Sequence, residues 1–225
     1  MNWFAIALSL KLALVVCAIL LAIGPPLAYW LTYTRWRWKF LIESVVALPL
    51  VLPPTVLGFY VLVAMGPQSP IGRFYVSWMG HGLPFTFEGL VVGSVLYSLP
   101  FTVQPMAAAF ALVDPTLINA SATLGASRIR TFVRIILPLS IGGVITGIVL
   151  TFAHTLGEFG VVLMVGGDIP GISQTISIAI YDKVQALDYV SANRMALLLM
   201  TVSFITLSIT YAVNRRVWTV WPMHR

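Results

Sequence analysis

The segment DPTLINASATLGASRIRTFVRIILP, residues 114–138, is a basic, amphipathic stretch between two long apolar runs. Asp114 followed by Pro115 predicts a helix start, because the carboxylate can accept hydrogen bonds from free N–H groups and proline is tolerated at the first helical position. Gly125 predicts the end of this helix, since glycine readily adopts the left-handed conformation of a C-terminal cap. Ser127 predicts the cap of a second helix. The segment is therefore expected to form a helical hairpin outside the membrane.

The composition of the whole chain is that of a polytopic membrane protein. Of its 225 residues, 59% are hydrophobic and 9% are charged, and the mean hydropathy is +0.95. In soluble globular proteins roughly a quarter of the residues are charged. The length accommodates about five helical spans of roughly 20 residues with short loops. We therefore expect an all-α fold with one transmembrane domain, residues 1–225, that contains the 114–138 loop and no soluble catalytic domain.

Hydropathy predicts five spans and a short additional helix. Residues 172–188 are half polar with helical spacing, so we expect a short helix at a surface or lining a cavity, with a sixth span as the alternative. The five spans cover roughly residues 5–33, 41–65, 87–112, 136–165 and 194–213.

The distribution of lysine and arginine predicts the orientation. The predicted spans divide the loops between the two sides of the membrane. One side has only three basic residues, namely Arg73, Lys183 and Arg194. Because positive charge accumulates in cytoplasmic loops, we expect the N-terminus outside, the C-terminus inside and the 114–138 hairpin in the cytoplasm. The net charge of +6 reflects this topology and indicates no nucleic-acid partner. The nine basic residues on the predicted cytoplasmic side are Arg35, Arg37, Lys39, Arg128, Arg130, Arg134, Arg215, Arg216 and Arg225.

The predicted hairpin has small residues, Ala120 and Ser121, near its centre, where another protein surface could come close. The alternative is an ordinary cytoplasmic loop whose arginines obey the positive-inside rule. That rule accounts for the arginines but requires no capped helices and no glycine between them. We therefore predict that the hairpin is a docking surface for another protein.

The spacing within the hairpin resembles the EAA loop of permease subunits in binding-protein-dependent ABC importers. The family pattern is Glu-Ala-Ala, three residues, Gly, nine residues, Ile-x-Leu-Pro. This chain has Asn-Ala-Ser at 119–121, Gly125, and Ile-Ile-Leu-Pro at 135–138, with the same spacing. Asn119 stands where the family has glutamate, and Ser121 stands where it has the second alanine.

Three further motifs are similar to the molybdate and sulfate branch of these permeases. They are LPLVLPPTVLG at 48–58, TLGEFG at 155–160, and IPGISQT at 169–175, the last being most similar to molybdate permeases. The resemblance covers roughly residues 5–213. It implies a type I ABC importer permease fold and a multi-pass protein of the cell inner membrane that translocates molybdate, with sulfate or tungstate as alternative substrates.

The resemblance also implies the partners. It suggests a second copy of this chain, two cytoplasmic ABC ATPase subunits that bind ATP and magnesium, and an external molybdate-binding protein. The chain itself would be no enzyme and would hold no cofactor or metal, and it has no Gly-rich loop ending in Gly-Lys-Ser/Thr. The residues expected to couple to the ATPase are Asp114, Pro115, Leu117, Asn119, Ala120, Ser121, Leu124, Gly125, Leu137 and Pro138.

Prolines and polar side chains within the spans are candidates for the translocation path or its gate, with helix packing as the alternative. His154 and Glu158 are four residues apart, so they are expected to share a helix face. An ionised Glu158 would repel a dianion, and we expect it to pair with His154 or a neighbouring helix, or to be held neutral. The candidates are Pro53, Pro54, Thr55, Gly58, Ser98, Thr102, His154 and Glu158.

Two other classes of protein fit the sequence less well. A secondary anion transporter usually shows an internal repeat, and no duplicated half is visible among the five spans. An intramembrane enzyme needs a convergent catalytic set, and His81, His154 and Glu158 form no recognisable catalytic motif.

Overall fold

The computed structural model describes residues 2–220, with side chains described as far as Ala212. Every regular element in this part of the chain is helical. In chain order the elements are α1 (Trp3–Tyr33), α2 (Lys39–Val51), α3 (Pro54–Met65), α4 (Pro70–Met79), α5 (Phe87–Ala111), α6 (Pro115–Thr123), α7 (Arg128–Thr131), a π-helical turn (Phe132–Ile136), α8 (Leu137–Leu139), α9 (Ile141–Gly157), α10 (Gly160–Gly166), α11 (Ile176–Gln185) and α12 (Tyr189–Val220).

Helices α1, α5 and α9 pack against one another at the centre of the fold. A first apolar core joins these helices to α2 and to the 132–136 turn, and it contains the fully buried Phe110, Met106 and Ile136. A second core joins α1 and α5 to α10 and α11. Because residues on both sides of the 114–138 hairpin contribute to the first core, the hairpin is anchored directly to the centre of the fold.

Helices α5 and α9 approach each other closely. Gly143 and Gly147 are four residues apart and face α5, in a Gly-x-x-x-Gly arrangement that lets membrane helices approach closely. A Cβ at Gly143 would lie 2.3 Å from the Ala109 Cβ and 2.8 Å from the Pro105 carbonyl oxygen. The two helices are therefore in backbone contact, which no larger residue at position 143 would permit.

Three of the described helices are long and apolar enough to cross a membrane, namely α1, α5 and α12. The number rises to five if each of two bent pairs counts as one span. The prediction for residues 172–188 is confirmed, since α11 is a short helix and is not a candidate span. Of the basic residues used to predict the orientation, Arg225 lies outside the described residues, and the side chains of Arg215 and Arg216 are not described.

The span predicted at 41–65 is sharply bent. The segment consists of α2 and α3, which are bent by 117° at Leu52 and Pro53. Proline has no N–H to donate and its ring clashes with the preceding turn, so Pro53 and Pro54 end α2 and start α3.

The predicted span at 136–165 is also interrupted. It bends by 76° at Ser140, two residues after Pro138. It breaks again at Glu158 and Phe159, between α9 and α10. This second break meets the first residue of α3, because a Cβ at Gly160 would lie 2.5 Å from the Pro54 Cβ. Two helix breaks from distant parts of the sequence therefore pack on each other.

Candidate functional site

The first helix of the 114–138 hairpin begins as predicted. The Asp114 carboxylate accepts a hydrogen bond from the Thr116 N–H at 2.8 Å, and Pro115 is the first helical residue. The hydrogen bonds with Thr116 lower the pKa of Asp114 below its usual value. An ionised carboxylate at a helix N-terminus also interacts favourably with the helix dipole, so α6 has a well-defined start.

The end of this helix confirms the role predicted for Gly125. Gly125 has a φ of +74°. Its N–H donates to the Ala122 carbonyl at 3.0 Å, and the Ala126 N–H donates to the Ser121 carbonyl at 3.0 Å. This pair of bonds is the Schellman motif, which satisfies carbonyls that a helix end leaves free.

The second helix begins at the predicted cap, because the Ser127 hydroxyl accepts from the Arg130 N–H. The helix is not regular as far as Pro138, however. Residues Phe132–Ile136 form a π-helical turn in which the Leu137 N–H donates to the Phe132 carbonyl. Pro138 has no N–H for a regular α-helical hydrogen bond. Immediately before it, the backbone hydrogen bonds change from the i to i−4 pattern of an α-helix to the i to i−5 pattern of a π-helix.

Contacts between the two helices hold the hairpin together and fix it to the core. The hydroxyls of Ser121 and Thr131 share a hydrogen bond of 2.8 Å. The Phe132 ring packs edge-on against Tyr29 of α1 and Phe110 of α5, with ring centroids 5.2 and 5.7 Å apart. The Tyr33 hydroxyl donates to the Phe110 carbonyl at 2.7 Å. A force on the hairpin would therefore reach α1 and α5 directly.

The outer face of the hairpin exposes large apolar side chains among polar and basic ones. Leu124 is 87% exposed and Ile129 is 78% exposed, and Leu117 and Val133 are also exposed. Asn119 and Ala120 are exposed as well, whereas Ser121 is buried by its contact with Thr131. Ser121 therefore holds the hairpin closed, and it does not provide the open approach that its small size suggested.

Six of the eight candidates for the translocation path fall into two groups. Ser98 and Thr102 of α5 are fully buried against α9, where Ser98 bonds to Thr155 and Thr102 bonds to Thr151. These hydroxyls join two helices and do not line an open surface of the described chain. The second group is at the break between α2 and α3, where Pro53 and Thr55 are exposed and Pro54 is half-buried. Gly58, one turn further along α3, packs closely against α10.

The expectation that His154 and Glu158 share a helix face is wrong. Helix α9 ends at Gly157, and Glu158 has an extended backbone with ψ of 135°. The His154 ring bonds instead to the Ser98 hydroxyl at 3.0 Å and stacks on Phe101 at 4.0 Å. Among the described residues, neither carboxylate oxygen of the buried Glu158 has a hydrogen-bond partner. No group of three or more metal-ligating side chains occurs in the same part of the chain.

A polar network that the sequence did not indicate lies at the start of the chain and around α11. The Gln174 amide nitrogen donates to Asp168 at 2.8 Å and to Asp182 at 2.7 Å, and its oxygen accepts from Asn2 at 2.8 Å. These bonds attach the segment before α11 to α11 itself and to the N-terminus of α1. The residues are far apart in sequence or lack any characteristic spacing, so no local pattern could have revealed them.

This network should respond to pH. Burial, together with the Asp168 carboxyl beside it, raises the pKa of Asp182 above its usual 3.8. The folded state therefore binds this proton more tightly, so the stabilisation is fully present below the usual pKa and is lost as the pH rises through the raised value. We expect a spin label at the exposed position 172 to become more mobile as the pH rises from below 3.8 through the raised pKa of Asp182. Asp182→Asn should remove this dependence, and equal pH profiles for the two proteins would contradict the prediction.

The chain is similar in sequence to a known family of transport proteins over most of its length. Residues 15–219 match the family described as binding-protein-dependent transport system inner membrane component. The molybdenum transport system permease protein ModB of Azotobacter vinelandii is 50% identical over 212 residues, which cover 94% of this chain and 93% of that protein. The ModB protein of Escherichia coli (strain K12) is 38% identical over 210 residues, covering 93% and 92%. A probable sulfate transport system permease protein, cysT of Prototheca wickerhamii, is 29% identical over 211 residues, covering 93% and 81%.

Solved structures with a similar fold include two transporters. An inward-facing MetNI methionine ABC transporter matches with a TM-score of 0.73 and 16% identity, over 96% of both chains. A bacterial ABC transporter that imports the acidic polysaccharide alginate matches with a TM-score of 0.68 and 18% identity, over 93% of this chain and 79% of that one. At such low identity the similarity concerns the fold alone.

Proposed function

Because the chain belongs to the family of binding-protein-dependent transport system inner membrane components, we propose that it forms the membrane pathway of an ATP-driven importer of molybdate. The fold is that of a type I ABC importer permease, and the chain is a multi-pass inner membrane protein. The observation that supports the substrate most strongly is 50% identity, over nearly the whole chain, to a relative named as a molybdenum transport permease.

The 114–138 hairpin supports the proposed coupling to a separate ATPase subunit. It combines a rigid double-capped backbone with exposed apolar side chains at Leu124 and Ile129. Exposed apolar surface on a polar loop is typical of a protein interface. In this proposal the ATPase subunits bind ATP and magnesium in the cytoplasm, and their movement is passed through Phe132 to α1 and α5.

The proposal requires two copies of the chain, two ATPase subunits and an external molybdate-binding protein that delivers the anion. The described helices contain no cluster of buried arginines or lysines that could hold a tetrahedral oxyanion tightly. A pathway of low affinity is consistent with this, and selection of the anion would then rest mainly with the external binding protein.

Sulfate is the second candidate substrate, because a probable sulfate permease is 29% identical over most of the chain. The identity to the molybdenum permeases is higher, at 50% and 38%. Molybdate and sulfate are both tetrahedral dianions, so the pathway chemistry alone does not separate them, and the ranking rests on sequence similarity.

A reconstitution experiment tests the function. The permease, its ATPase subunit and its binding protein are incorporated into lipid vesicles, and uptake of labelled molybdate is measured with and without ATP. We expect uptake only with ATP, with unlabelled molybdate and tungstate competing better than sulfate. Stronger competition by sulfate would favour the second candidate. If the tagged permease retains no ATPase subunit on purification and uptake persists without ATP, the importer hypothesis fails.

A further inference from the structure

Helix α4, Pro70–Met79, is too short to cross a membrane, which takes about 20 residues. It connects α3 to α5, and α5 is one of the three long candidate spans. The 114–138 hairpin follows the other end of α5. Helix α4 therefore lies at the membrane surface opposite the hairpin.

One face of α4 carries large apolar side chains that the rest of the protein does not cover. Ile71, Phe74 and Trp78 have the i, i+3 and i+7 spacing of one helix face. They are 61%, 71% and 78% exposed. Arg73 and Ser77 are also exposed, and they lie on a different part of the helix surface. The exposed surface of α4 is thus amphipathic, with an apolar stripe beside a polar edge.

Other residues of α4 attach the helix tightly to the fold, which fixes the direction of the apolar stripe. A Cβ at Gly72 would lie 1.9 Å from the Gly66 carbonyl oxygen, so the helix is in backbone contact with the end of α3. Tyr75 packs against the apolar core formed by α3, α5 and α10. The Ser69 hydroxyl caps the helix by accepting from the Gly72 N–H at 2.8 Å. Rotation of α4 to bury its apolar stripe would break these contacts.

We propose that α4 lies flat in the headgroup region of the phospholipid bilayer, with Ile71, Phe74 and Trp78 inserted among the acyl chains and Arg73 at the level of the phosphates. Amphipathic helices of this type bury their apolar face about 5–10 Å into the boundary between headgroups and acyl chains. Tryptophan is enriched at this boundary, and arginine can extend its charged group to the phosphates while its stem stays among apolar atoms.

Lipid is a better match to this surface than a second protein for two reasons. Helix α4 ends at Met79 and the candidate span α5 begins at Phe87, so the short chain between them keeps α4 near the edge of the hydrocarbon layer. Helix α3, to which α4 is attached, also exposes large apolar side chains at Phe59, Tyr60 and Val63. The stripe of α4 therefore extends an apolar surface that already requires a membrane environment, and the cation at its edge complements anionic phosphates.

The proposal also gives α4 a mechanical role. Because Gly72 and Gly66 hold α4 and α3 in backbone contact, a helix embedded in the membrane surface would fix the depth of the C-terminal end of α3. The other end of α3, at Pro54, contacts the break between α9 and α10.

Site-directed spin labelling measures the depth of α4. In the assembled transporter, with Cys17 replaced by alanine, single cysteines are introduced at positions 71, 74 and 78, and at 73 and 77 on the polar edge. The assembly is reconstituted into phosphatidylcholine and phosphatidylglycerol vesicles. Collision rates with oxygen, which is enriched in lipid, and with a water-soluble nickel chelate are then compared. A label at the exposed Leu14 of α1 serves as the lipid reference, and free spin label in solution serves as the aqueous reference.

We expect labels at 71, 74 and 78 to be mobile, to collide mainly with oxygen, and to lie about 5–10 Å below the phosphates. Labels at 73 and 77 should collide mainly with the nickel chelate. Exposure of all five labels to the chelate, to the extent seen for the free spin label, would overturn the proposal in favour of an aqueous surface. Immobilised labels at 74 and 78 that neither reagent reaches would overturn it in favour of a protein partner or a second copy. Phe74→Ser with Trp78→Ser provides a second measurement, because it should shift the label at 71 toward the aqueous reference.

Discussion

Gly125→Val is expected to lower ATP-driven molybdate uptake about five- to thirtyfold while the permease remains inserted in the membrane. Gly125 has a φ of +74°, and a Cβ there would meet no atom within 4 Å. The expected cost is therefore one of backbone conformation and not of steric contact. An L-residue in the left-handed region costs about 1–2 kcal/mol, and more when its side chain is β-branched, and a free energy of this size changes an equilibrium about five- to thirtyfold.

The matched control is Gly125→Asn. Asparagine adds a side chain of similar size but tolerates the left-handed conformation, so it should keep most of the uptake. The measurement is ATP-dependent uptake by reconstituted vesicles, together with the amount of ATPase subunit retained on purification. Equal losses for valine and asparagine would show that the Schellman turn is not what matters at this position.

Gly143→Ala is expected to have the largest effect on stability among alanine substitutions at Gly143, Gly147 and Gly157 of α9. The new Cβ would lie 2.3 Å from the Ala109 Cβ and 2.8 Å from the Pro105 carbonyl oxygen, and neither atom belongs to a flexible side-chain end. Overpacking of this kind costs about 1–3 kcal/mol. The two helices would have to separate, and we expect a lower thermal unfolding midpoint of the purified permease and a lower yield of folded protein.

Two other glycines of α9 provide an internal scale for this prediction. A Cβ at Gly147 would lie 2.9 Å from the Thr102 carbonyl oxygen, with its next contact at the flexible end of Met106. A Cβ at Gly157 would meet nothing within 4 Å. Alanine should therefore be most destabilising at 143, less so at 147 and tolerated at 157. A thermal unfolding midpoint that is the same for all three variants would contradict the backbone contact between α5 and α9.

The hairpin could be predicted from sequence because its determinants are local. A carboxylate before a proline, a glycine at the helix end and a serine cap act within a few residues, and the structure contains all three. The spacing from residue 119 to residue 138 also allowed comparison with a known family. Ser121 shows the limit of local patterns. Its small side chain suggested an open approach for another protein, but its hydroxyl bonds to Thr131 on the other helix of the hairpin, which no local pattern indicates.

The bends within the spans could not be predicted by hydropathy, because a window of apolar residues reports composition and not direction. The prolines at 53, 54 and 138 indicated where the helices would be disturbed, but an angle of 117° or 76° is set by tertiary packing. His154 and Glu158 illustrate the same point, since their spacing predicts a shared face only if the helix continues past Gly157. The Gly-x-x-x-Gly spacing at 143–147 is typical of closely packed membrane helices, and it could have indicated the close packing of α9 that the structure shows against α5.

The backbone contact between α5 and α9 has a consequence for how the transporter changes shape. Two helices that touch through glycine cannot slide or rotate against each other without first separating, so we expect them to move as one rigid body during the transport cycle. Alternation between states would then be a hinge motion, with the hinges at the ends of this pair, at Ser140 and at Glu158 and Phe159, where the helical hydrogen bonding is already interrupted.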